Sequence, residues 1–118
     1  MLTLPSSLRV YAAVEAVDLR KGFDALAIAV RSQLGHDPLS GSLFVFFNRR
    51  ADRAKVLVWT PSGWCLVFKR LEKGRFHLPR AVRSHERALT IDASELVALL
   101  DGIDLRDAPR PARWTPTT

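Results

Sequence analysis

Arg49, Arg50 and Arg53 crowd into FVFFNRRADRAKVLVW, residues 44–59, with Lys55 just beyond them. A guanidinium is planar and permanently charged, so it can grip a phosphate through paired hydrogen bonds. A second cluster follows downstream: Lys69, Arg70, Lys73 and Arg75. Side chains of these types at this density offer polyanion binding rather than bond making.

The division of charge along the chain sharpens this. Residues 1–48 balance at zero, residues 49–87 hold eleven basic groups against three acids, and residues 88–118 carry a net of −2. The whole formal excess of +6 therefore sits in the middle third. Such asymmetry makes a positive field over one region, which attracts nucleic acid or acidic protein surfaces. An arginine-rich face can also serve solubility alone; the clustering favours a binding face.

Other chemistries have weaker support. His36, His77, His85 and Cys65 are scattered, with no pair at the short spacing of metal-ligand sets. Cys65 lies inside an apolar stretch, where a thiol acts as a small hydrophobe. Asp18, Asp92 and Glu95 suit helix caps, Asp24 falls on the polar side of its helix, and Asp52 sits among arginines. No acid stands inside a central apolar strand, and neither a P-loop nor GxGxxG occurs. SGSLFVFF (40–47) shares four positions with the octapeptide of RNA-recognition sheets but lacks its leading basic residue and its first aromatic. The expectation is a protein with no catalytic residue, no metal and no cofactor.

The size suits one domain, expected over 1–107, with a loose proline-rich tail over 108–118. No apolar run approaches the roughly 20 residues of a membrane-spanning helix, and the first residues do not read as a secretory signal. A single cysteine forbids an internal disulfide and fits a reduced, cytoplasmic setting.

The elements that must position the arginines follow from periodicity. LRVYAAV (8–14) reads as a first strand. Asp18 can cap a helix over 19–34, with Phe23, Leu26, Ala27, Val30 and Leu34 on one face and Gly35 as its stop. Strands are expected at 43–48, 54–60 and 64–70, then a short one at 75–78, with 80–89 irregular. Asp92 to Glu95 resembles a capping box opening a short helix that Gly102 ends. The fold class expected is α+β: an antiparallel β-meander of four to five strands on one long N-terminal and one short C-terminal helix. Both faces of LFVFF are apolar, so that strand should be covered on both sides. Trp64, Leu66 and Phe68 share a face and are expected mostly in the core. In a meander the third strand returns beside the first loop, so Lys69 and Arg70 should stand next to Arg49, Arg50 and Arg53.

DLRKGFDAL (18–26), LFVFFNRRADRAKVLVW (43–59), CLVFKRLEKGRFHLP (65–79) and LLDGIDL (99–105) together resemble the TnpB-type accessory proteins of insertion-sequence 66 transposable elements. The motif positions are Asp18, Arg20, Lys21, Gly22, Asn48 and Trp59. The resemblance implies a protein encoded in a mobile element beside a separate, larger transposase that cuts and joins strands. It also implies a need for the protein in efficient transposition. Two readings follow: DNA binding at element ends through the basic edge, or docking of the cationic face on the transposase.

Overall fold

LFVFF, residues Leu43–Phe47, decides the architecture, because all five side chains are buried. A strand apolar on both sides needs a layer on each. The computed structural model describes residues 8–80 and 86–107, and it supplies both layers. In chain order the elements are β1 (Val10–Ala13), α1 (Phe23–Ala29), β2 (Leu43–Phe47), β3 (Arg53–Thr60), β4 (Gly63–Arg70), β5 (Ala88–Ile91) and α2 (Ala93–Leu100). They form one five-stranded sheet in the order β4-β3-β2-β1-β5. Phe44 and Phe46 face α1, packing with Leu26, Ala29, Val30, Leu34 and Leu57. Leu43, Val45 and Phe47 face the other way, toward Leu96 and Leu99 of α2 and toward Phe76. Each large side chain so buried contributes about 1.5–3 kcal/mol.

The class is α+β, but the sheet is mixed. β2, β3 and β4 form the antiparallel meander expected, whereas β1 pairs with β2 in parallel and with β5 antiparallel. The reason is the connection: α1 lies between β1 and β2, and a helical crossover returns the chain in the same direction. The fifth strand is Ala88–Ile91, beginning within the last two residues of the stretch expected to be irregular, and not 75–78. The latter segment is held instead by single bonds, from the Phe76 amide to the Ala51 carbonyl and from the Leu105 amide to the His77 carbonyl.

The N-terminal helix is shorter than expected. α1 starts at Phe23 with Gly22 as N-cap, and a π turn over Val30–Leu34 follows it. Asp18 does not cap it, because Arg20 takes both carboxylate oxygens. Leu26, Val30 and Leu34 are buried as the period required, yet Phe23 is exposed. Gly35 ends the π turn in the left-handed conformation, φ 70°. At the other end of the fold, Asp92 and Glu95 form the expected capping box of α2. The proline-rich tail and His85 lie outside the described residues. Among the described residues no helix is long and apolar enough to cross a membrane.

Candidate nucleic-acid interface

The turn from β2 to β3 carries Arg49 and Arg50, and Asn48 builds it. Its side-chain oxygen accepts the amides of Asp52 and Arg53, both at 3.1 Å. Its amide nitrogen donates to the Asp52 carboxylate at 2.7 Å. That bond is the main cause holding the Asp52 carboxyl below its ordinary range, ahead of the Arg50 and Arg53 charges. The ties matter because Ala51 sits at φ 56°, a left-handed conformation costing a side-chain-bearing residue about 1 kcal/mol or more. Asn48→Ala should therefore lower stability by about 1–2 kcal/mol in urea unfolding. An unchanged midpoint would mean the turn holds without Asn48.

Register brings the two basic clusters together. Arg53 stands directly across from Arg70, and Ala54 across from Lys69. Two further backbone bonds, from Leu71 to Asp52 (2.8 Å) and from Phe76 to Ala51 (2.6 Å), dock the segment holding Lys73 and Arg75 against the same turn. The expected convergence at one end of the sheet is thus present in the geometry. Arg49, Arg50, Arg53, Lys69, Lys73 and Arg75 are all exposed, and among the described residues none forms an ion pair. Arg70 does, with Glu72 at 3.0 Å, though both side chains are well solvated.

The cluster is not uniform. Arg49, Arg50 and Arg53 line a cleft of about 460 Å³ together with the 16–20 segment, which includes Asp18 and Arg20, and with Phe68. Lys69 alternates to the other face of the sheet. Lys55 is half-buried and donates to the Lys21 carbonyl at 3.1 Å, which ties β3 to the start of α1. Of the motif positions, Asp18, Arg20 and Asn48 line the cleft. Gly22 caps α1 with φ −91°, a value open to any residue. Trp59 packs edge-on against Trp64 (centroids 4.9 Å apart), six residues along β3 from Arg53 and so roughly 20 Å away.

Two residues of this site were not expected beside the arginines: Arg20, named only as a motif position, and Phe68. Arg20 joins because the Val17 amide bonds to the Phe47 carbonyl (2.9 Å), laying the strand-to-helix connection along the end of β2. Phe68, expected in the core, is 55% exposed, since β4 is the sheet's edge and α1 does not reach its end. Cys65 is likewise exposed on that edge. β2, by contrast, keeps its rings in the core, so it offers no stacking platform.

The Asp18 carboxylate meets the Arg20 guanidinium at 2.8 Å and its own i+2 amide at 3.0 Å. These bonds, the side-chain one foremost, lower its pKa from 3.8 to about 2. The folded state favours the ionised form, so the link is complete above pH 3.8 and is lost only as pH falls through about 2. A carboxyl-carbon NMR titration should place the Asp18 midpoint near 2 and, in Arg20→Gln, clearly higher, since the guanidinium bond is lost while the backbone bond stays. A midpoint indifferent to that substitution would contradict the assignment.

With this geometry in place, the profile of the family described as IS66 Orf2 like protein matches residues 8–110. The chain belongs to the IS66 Orf2-like family. This agrees with the resemblance seen in its motifs and makes it an insertion-sequence-associated protein of the TnpB type. Two relatives come from Sinorhizobium fredii. Uncharacterized protein y4hO is 39% identical over 117 residues, covering 99% of this chain and 97% of its own length. Uncharacterized protein y4jC is 36% identical over 110 residues, covering 93% and 92%. No solved structure matches the chain. The IS66 Orf2-like family is an accessory family, not a known family of enzymes. In this member four of the acids have structural work: Asp18 holds Arg20, Asp52 holds Asn48, and Asp92 with Glu95 caps α2. No group of three or more His, Cys, Asp or Glu gathers among the described residues.

Proposed function

We propose that this IS66 Orf2-like protein binds DNA at its cationic end and assists a separate transposase, without itself cutting or joining strands. One observation carries the reading: Arg49, Arg50 and Arg53 line a single cleft, and among the described residues none of them has a carboxylate within 4 Å. Lys55, Lys69, Arg70, Lys73 and Arg75 add to the field around it. Guanidinium groups left to solvent in a concave wall suit phosphate oxygens, which take their paired donors. With about six phosphates neutralised, log affinity should fall against log salt with a slope near −5. The protein works as one unit over 1–107 in the cytoplasm, beside the element's transposase.

The test is a gel shift of purified protein on element-end duplex DNA at two salt concentrations, with and without transposase. A shift that weakens steeply with salt supports the reading; no shift in either condition removes it.

A second reading, direct docking on the transposase, draws on a different surface. Ile28 is 66% exposed and, with Leu39, Pro38 and Trp64, lines a mostly apolar groove of about 350 Å³ beside α1. Apolar and aromatic surface of this kind is typical of protein contacts. Loss of transposase co-purification from nuclease-treated lysate on Ile28→Glu would favour this reading; unaltered recovery would count against it.

A further inference from the structure

Phe68 is an exposed aromatic ring in an arginine-lined cleft. It stands across from Lys55 on the same face of the sheet as Arg53 and Arg70. Arg70 lies two residues further along β4 and so roughly 7 Å away on that face. Phe68 is more than half exposed, while Phe46, two strands further in on the same face, is wholly buried. Arg49, Arg50, Arg53 and the Asp18–Arg20 pair line the cleft with Phe68, so its charged groups leave it net positive beside an apolar ring.

Phosphate binding alone has no use for that ring. A duplex shows a protein its sugar–phosphate rails, with each base face covered by its neighbours in the stack. A single strand, or a base turned out of a duplex end, presents a free π-face beside its phosphate. Base-to-aromatic stacking beside a cationic groove is how single strands are held irrespective of sequence. Arginines next to the ring add cation–π attraction and keep the phosphates within reach.

We infer that the cleft takes single-stranded nucleic acid, with one base stacked on Phe68 and the flanking phosphates on Arg49, Arg50 and Arg53. This rests on the nucleic-acid reading above and narrows it to unpaired strand. An accessory protein with such a site would act where element ends are opened, holding a strand freed from its complement.

The test uses the full chain and fluorescence anisotropy with three probes of about 16 nucleotides, a length that covers one compact binding groove. They are oligodeoxythymidine, an abasic strand of equal charge, and a duplex. Wild type should bind oligodeoxythymidine about tenfold more tightly than the abasic strand. Phe68→Leu should erase that preference while leaving the salt slope unchanged, and Phe68→Tyr should restore it. Circular dichroism of both variants checks that the fold is kept. Equal wild-type affinity for the thymidine and abasic strands overturns the inference, as does a Phe68→Leu protein that still distinguishes them. Binding of duplex alone overturns it too, while the broader DNA reading survives. If wild type binds none of the probes, both fall together.

Discussion

Arg49→Ala/Arg50→Ala/Arg53→Ala should bind element-end DNA about a hundredfold more weakly than wild type at physiological salt. The salt slope should flatten by about 3, since each lost phosphate contact removes nearly one released counterion. Both numbers are needed. A fall in affinity with an unchanged slope would mean that the turn had collapsed and other cations had kept the phosphates. The substitutions spare Asn48 and Asp52, which hold the turn, and the three side chains are exposed with no ion pair among the described residues. Stability should therefore change little, because surface substitutions of this kind stay within about 0.5 kcal/mol. Equal affinity and equal slope in the triple variant would sink the reading of the cleft. Lys69→Ala is the matched control, since Lys69 alternates to the far face and should cost only its share of the field.

Much of this site was legible in the sequence because its logic is local. Short connections force β2, β3 and β4 into a meander, and a meander returns Arg70 to Arg53 whatever the rest of the chain does. The α2 capping box is equally local. What the sequence hid depends on tertiary placement. An aspartate followed two residues later by arginine reads equally well as a helix cap or as a self-contained turn, and the Arg20 guanidinium settled the competition at Asp18. The parallel pairing of β1 with β2 was implicit in the intervening helix, but a strand's neighbours are set by the sheet and not by chain order. β5 has only four residues and no alternation long enough to register as a period. Arg20 joined the arginines only once that parallel pairing laid residues 16–20 across the end of β2.

Phe46 and Phe68 are the sharpest instance, and they yield the largest stability effect. Both are phenylalanines in apolar strands, and Lys55 stands between them in register. Nothing in residue type separates them. Sheet order does: β2 has neighbours on both sides and α1 above, while β4 is an edge. Phe46→Ala should cost about 3–5 kcal/mol, because a wholly buried ring leaves a cavity its close-packed surroundings fill only in part. That is a large fraction of the roughly 5–15 kcal/mol that holds a domain folded. In a thermal scan it should appear as a drop on the order of 15 °C. Phe68→Ala, with most of its ring already in water, should cost under about 1 kcal/mol and shift the midpoint by only a few degrees. A comparable loss at both positions would mean that Phe68 is held in the core, and its availability to a base would go with it. A small loss at Phe46 would mean that α1 does not cover β2 as the packing of Phe46 with Leu26, Ala29 and Val30 requires.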